Sequence, residues 1–316
     1  MRWCTYGSLG YRNEQIKRRL NYAINHGFTK FKIKVGKSLE DDKRRLAVVR
    51  DVIGGHLDTI KSIVTEKTSW LEYVRISWNR KVLNANQCWE VDEAIAWIKE
   101  LKDFKPMWIE EPTSPDDVLG HGKISLEAYY IFIFQAVNPL GIKVATGQHC
   151  QNRVLFKQFF QTNAMQVCEV DACRLAGVNE VLAVMLMAKK YNVPVCPSAG
   201  GVGLCEMIQH IAIFDYISVS GTVEGRVAEY SDFLHDHFMH PIRLRNAHYQ
   251  APTAAGFCTE MLEESTINFE YPKGWKWKEL FEEGVYQDPR NSKPKHIQHF
   301  GIAPHRVPSA THYQLF

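Results

Sequence analysis

Apolar and polar residues alternate along Thr29 to Val35, so an extended chain there places Phe31, Ile33 and Val35 on one face and Lys30, Lys32 and Lys34 on the other. Similar short apolar runs predict strands at Val82 to Ala85, Met107 to Ile109, Ile142 to Ala145, Met165 to Val170, Val193 to Cys196 and Tyr216 to Val219. Between them, apolar positions recur at helical spacing over Asn13 to Ile24, Leu39 to Val52, Val91 to Leu101, Arg153 to Gln161, Val178 to Lys190 and Glu206 to Phe214. Such βα alternation implies a parallel sheet, and this many units imply a closed (β/α) barrel of the TIM type. Met1 to Tyr6 is read as a stub of a truncated first strand.

A barrel of this kind carries its chemistry at the C-terminal strand ends. Lys34, Asn84, Glu110, Gln148, Asp171 and Ser198 lie at or just past successive strand ends, so their side chains are expected to converge on one mouth. Two intervals are longer than a barrel needs, and insertions are expected near 56–79, with Trp70, Tyr73 and Trp78, and near 126–135, an aromatic block. The barrel is assigned to residues 1–283. The stretch from 284 to 316, with Pro289, Pro294, Gly301, Pro304 and Pro308 and little apolar periodicity, is expected to be a loose tail.

Charge excludes some functions. A net charge of +3 over 316 residues, without a basic stripe, argues against nucleic-acid binding. No apolar run reaches the length of about 18 residues that crosses a bilayer, so no membrane association is expected. The 8 cysteines lack zinc-type pairing and read as reduced thiols of an intracellular protein. Arg2, Arg12, Lys17, Arg18 and Arg19 give the N-terminus the look of a transit peptide, but the apolar spacing of Asn13 to Ile24 favours a barrel helix.

Longer motifs make the reading specific. Phe104-Lys105-Pro106-Met107-Trp108-Ile109-Glu110-Glu111-Pro112, Asp171-Ala172-Cys173-Arg174-Leu175 and Pro197-Ser198-Ala199-Gly200-Gly201-Val202-Gly203-Leu204 resemble the mandelate racemase-like branch of the enolase superfamily, most closely its L-fuconate dehydratases. The resemblance implies a Mg²⁺ ion held by three carboxylates, a lysine that removes the proton α to a substrate carboxylate, and a His-Asp pair that helps water depart from an acid sugar. It also implies a mitochondrial or otherwise intracellular location. By position, Asn84, Glu110 and Gln148 are the metal residues, Lys34 the base with Lys32 as its neighbouring cation, Asp171 and Ser198 the His-Asp pair, and Glu229 a late-strand carboxylate, with Glu224 as second choice.

The departures from that pattern matter chemically. Asn84 and Gln148 stand where the family has carboxylates, and Mg²⁺ gives up its water shell reluctantly without carboxylate charge. Ser198 stands where the family has histidine, and a hydroxyl cannot exchange a proton near neutral pH as an imidazole does. The family's N-terminal capping domain is expected to be missing, since the chain is read as starting inside the first barrel strand. The expectation is therefore an L-fuconate dehydratase-like barrel that is inactive or very weak as an enzyme. The alternative is a pseudoenzyme that binds small acids or a protein through its mouth or aromatic insertions, with the lysines in a buried ion-pair network with Glu110, Asp171 and Glu229. An exposed strand edge and the uncharged Tyr129 to Phe134 run make a homo-oligomer the expected state.

Overall fold

Short strands, each with one face toward a shared axis and the other toward a helix layer, build the first part of the protein. In this computed structural model, residues 4–5, 11–61, 81–133, 141–231 and 234–290 are described. They fall into two compact units, Met1–Glu260 and Met261–Phe316. In the first unit, six parallel strands follow one another in chain order: β1 (Cys4–Thr5), β2 (Phe31–Lys34), β3 (Lys81–Asn84), β4 (Trp108–Glu110), β5 (Lys143–Thr146) and β6 (Val167–Cys168). Register is direct, with Lys34 opposite Asn84 and Asn84 opposite Glu110. Two further staves continue the ladder. Val195 bridges Cys168 in parallel, Ser198 N–H donates to the Val170 carbonyl (3.0 Å), and Glu229 N–H donates to the Pro197 carbonyl (3.1 Å). This is the α/β architecture of a TIM-type barrel.

The helices are α1 (Asn13–Asn25), α2 (Leu39–Lys61), α3 (Val91–Leu101), α4 (Val118–Ile133), α5 (Arg153–Gln161), α6 (Val178–Lys190) and α7 (Leu204–Phe214). The amphipathic ones sit where periodicity predicts them. In α1, Ile16, Leu20 and Ala23 are buried against Phe31, Ile33 and Val35, which makes the basic N-terminal stretch a barrel helix over those residues. Helix α5 begins at Asn152, whose side chain accepts from Val154 and Leu155 N–H, the usual device for satisfying free donors at a helix start. Outward strand residues such as Cys168 and Val170 pack with Phe156, Phe159 and Val184 of α5 and α6.

Three expectations are corrected. Leu126 to Ile133, read from the sequence as an inserted aromatic block, is the second half of α4, so the Tyr129 to Ile133 run is helical. The segment is apolar almost all round, and such a helix has no polar face to reveal its period. Tyr216 to Val219 is not a strand. It continues α7 as a π-helical turn, Asp215–Ser220, with Tyr216 and Ile217 exposed. The last stave lies instead at residues 227–229. Helix α2 runs past Val52 to Lys61, taking in His56. The rest of the 56–79 block, Phe134 and Gln135, and the tail from 291 on lie outside the described residues. Among the described residues, no helix is long and apolar enough to cross a membrane.

In the second unit, α8 (Glu263–Phe269) and α9 (Trp275–Glu282) meet through Trp277, whose indole N–H donates to the Phe269 carbonyl (3.0 Å) and whose ring lies edge-on to Tyr271.

A polar clamp holds the end of the barrel. Tyr249 donates its hydroxyl to the Glu229 carbonyl (2.6 Å), and His235 contacts the Ser231 carbonyl (2.9 Å) and Glu206 of α7 (2.6 Å). Both ring nitrogens of His235 face acceptors, so the imidazole carries both protons. Burial alone would lower its pKa, but bonds with Cys205 and Glu206 outweigh that and raise it to about 10. A pKa raised on folding contributes stability that is complete below the ordinary histidine value and disappears as pH rises through about 10. Denaturant midpoints should therefore fall between neutral pH and pH 10, and the fall should be shallower in His235→Gln.

Candidate active site at the barrel mouth

Alternation along β2 sends Lys32 and Lys34 inward, as expected from the pattern, and β3, β4 and the last stave send Asn84, Glu110 and Glu229 to meet them. The Lys32 ammonium is almost inaccessible and lies between two carboxylates, 2.6 Å from Glu110 Oε1 and 2.8 Å from Glu229 Oε1. Asn84 turns its amide N–H₂ onto the same Glu110 Oε1, while its carbonyl oxygen accepts from Asn86 N–H at 2.7 Å. That second bond fixes which end of the amide faces Glu110. Glu229 Oε2 accepts from the Ser198 hydroxyl (3.1 Å) and Ala199 N–H (2.7 Å). Asn84, Glu110, Lys32, Glu229 and Ser198 thus form one continuous buried chain of hydrogen bonds.

Burial alone would lower the pKa of Lys32, but Glu110, Glu229 and Glu169 together hold it well above the ordinary lysine value. Lys34 behaves oppositely. Burial first, and then the charge of Lys32, lower its pKa. Among the described residues it makes no ion pair, and it stays partly accessible, the disposition expected of the base. Two of the three donors of Lys32, by contrast, are taken, so it is a structural cation more than a hand for a substrate carboxylate.

Glu169 belongs to the same cluster and was not anticipated. It lies on β6's inward side two residues before Asp171, a spacing that alternation would have revealed. Burial, then the charge of Glu110, raise its carboxyl pKa well above the usual range. It faces Glu110, and Glu110 Oε2 and Glu169 Oε2 are both buried without a donor from the described residues. Such a pair shares one proton.

Gln148 and Asp171 form an adjoining group. A methyl group placed on Gly200 would lie 3.0 Å from Gln148 Nε2 and 3.9 Å from the Ser198 oxygen, which locates all three on one wall. Asp171, expected to join the lysines in a buried ion-pair network, is held by other groups. It accepts from Cys173 N–H (2.8 Å) and lies 3.5 Å from Arg174, with Gln148 as a further hydrogen-bond partner, although burial still raises its pKa. Glu224 is exposed, which leaves Glu229 as the late-strand carboxylate. Beside this wall stands a second unanticipated group. Glu111 (φ 45°) accepts from Gln87 (3.0 Å) and pairs with His149 Nδ1.

The donor set does not suit Mg²⁺. Glu110 Oε1 is covered by an ammonium and an amide N–H₂, Asn84 directs its carbonyl oxygen to the backbone, and Gln148 faces Asp171 and Ser198. Among the described residues, no three His, Cys, Asp or Glu side chains are grouped to hold a metal ion.

A parallel barrel with an inward Lys-x-Lys strand and acidic or amide residues on the next three strand ends defines the class of enolase-type α/β barrels. The chain belongs to the enolase superfamily, since residues 76–265 match the family described as "Enolase C-terminal domain-like". It is 48% identical over 272 residues to "Mitochondrial enolase superfamily member 1" from Xenopus laevis, covering 86% of this chain and 54% of that protein, and 45% identical over 273 residues to "L-galactonate dehydratase" from Hypocrea jecorina, with the same two coverages. The crystal structure of human mitochondrial enolase superfamily member 1 superposes with a TM-score of 0.72 at 47% identity, covering 87% of this chain and 56% of that one. The chain spans about half the length of the curated relatives it matches.

Replacing Lys32 by Met should lower unfolding stability by about 3–5 kcal/mol, because it leaves two buried carboxylates without their cation. Urea unfolding measures this, and adding Glu229→Gln to the Lys32→Met variant should recover part of the loss.

Proposed function

We propose that this chain is an acid-sugar dehydratase-type barrel that has lost turnover and retains an anion-binding mouth. The reading rests on one observation: Glu110 Oε1 takes both the Lys32 ammonium and the Asn84 amide. The dehydratase reaction begins by removing a proton from carbon next to a carboxylate, and the resulting dianion needs concentrated positive charge to form. Here the buried Lys32 ammonium is spent on Glu110 and Glu229. Lys34 keeps a lowered pKa and access to the mouth, so it can bind or deprotonate. Neither residue at the positions of the family's His-Asp pair is free to deliver a proton to a departing hydroxyl, because the Ser198 hydroxyl is committed to Glu229 and Asp171 to the Cys173 N–H. The substrate class is carried over from the relatives: L-galactonate is named for the Hypocrea protein, and L-fuconate is the acid sugar of the branch whose motifs this chain resembles.

The purified chain with Mg²⁺ should convert neither L-galactonate nor L-fuconate to a 2-keto-3-deoxy acid above the background of a Lys34→Met control. The parts of such a site act as a unit, so the loss of either the acid or the metal charge costs orders of magnitude in rate. Product formation above the control, followed by a keto-acid assay, sinks the proposal.

Calorimetry should detect no saturable Mg²⁺ binding in the parent. Asn84→Asp together with Gln148→Glu should create it, whereas either change alone should recover little. If the double variant binds no better than the parent, the strand ends are spaced wrongly for a metal.

A further inference from the structure

Beneath the charged layer, the barrel interior is apolar and incompletely filled. Val82, Trp108, Ala145, Val167, Cys196 and Val227 form a buried cluster, and below it a cavity of about 210 Å³ opens at the N-terminal strand ends, opposite the mouth. Its inner wall includes Trp108, Val167, Val195 and Val227, and its rim includes Lys105 and Lys143. Among the described residues, no Asp or Glu lines it. Lys143 is the first residue of β5, two before inward-facing Ala145, so alternation places it on the cavity side; it is exposed and has no carboxylate partner among the described residues.

The positive character extends past the rim. Lys81, at the start of β3, is buried, and burial, then Arg50 and Lys105, lower its pKa to about 8. A buried lysine weakened by two neighbouring cations marks a region short of negative charge.

We propose that the N-terminal end of the barrel is a second binding site, for a small carboxylic acid whose apolar body is compact and about the size of an aromatic ring. The size follows from volume, since a dry apolar cavity of roughly 150 Å³ accommodates benzene. The space left over suits a short arm reaching the rim. The ring rests against Trp108, Val167 and Val227, and the carboxylate meets the Lys143 ammonium at the rim. This site is independent of the acid-sugar reading, because none of its residues belongs to the mouth.

The test is a titration of the full-length chain with 3-phenylpropionate and with 3-phenylpropanol, followed by ¹H–¹⁵N spectra. The Trp108 indole and the Val167 and Val227 amides should shift saturably with the acid, and the alcohol should bind about fivefold more weakly, the usual scale for a partly exposed ion pair. Lys143→Gln should bring the acid down to the alcohol's affinity with the melting temperature unchanged, and Val227→Phe, which fills the cavity, should abolish binding of both. The proposal is overturned if those resonances stay fixed at millimolar acid, if acid and alcohol bind equally, or if the shifts fall at Gly36 and Gly200 of the mouth.

Discussion

The ammonium of Lys32 is the charge around which the upper half of the barrel is arranged. Moving such an ion from water into a protein interior costs several kcal/mol even after relaxation, and only close, well-oriented counter-charges offset it. Glu110 and Glu229 do so from β4 and the last stave, which lie on opposite sides of β2 in the barrel order. The pairing therefore crosses the barrel. The Tyr249 and His235 contacts acquire their importance here, because they hold the backbone at Glu229 and Ser231 and so keep one of the two counter-charges in place.

The same centre decides what remains available for chemistry. A site in which every strong donor already meets an acceptor is stable, but it has little left for a ligand. Lys34 escapes because it lies one step nearer the mouth on the same face of β2, and its pKa is lowered partly by the very charge that is trapped below it. The Glu111–His149 group stands outside the internal chain of bonds, which makes it part of the mouth and not of the core.

Much of this was legible in the sequence, though unevenly. Helices α3, α5 and α6 begin and end where apolar spacing places them, because each has one buried stripe against a polar face. Helix α4 lacks that contrast, and the last stave is a three-residue segment too short to show alternation, while the β-branched Tyr216 to Val219 run imitated it. At the site, the two-residue period placed Lys32 beside Lys34, and the motif positions placed Asn84, Glu110, Ser198 and Glu229 near one another. Their partnerships were not legible. Nothing in the identity of Asn84 says that its N–H₂ end faces Glu110; that depends on Asn86 N–H capturing its oxygen in three dimensions.

Charge balance ties the two amides to the lysine. With one proton shared between Glu110 and Glu169, that pair and Glu229 together match Lys32 and Lys34 in charge. Carboxylates at 84 and 148 would add two negative charges, the amount a divalent cation neutralises. Amides at both positions remove that demand and supply N–H donors where a metal would require lone pairs. Asn84 and Lys32 thus both direct N–H donors at Glu110 Oε1, the oxygen whose lone pairs a metal at this position would need.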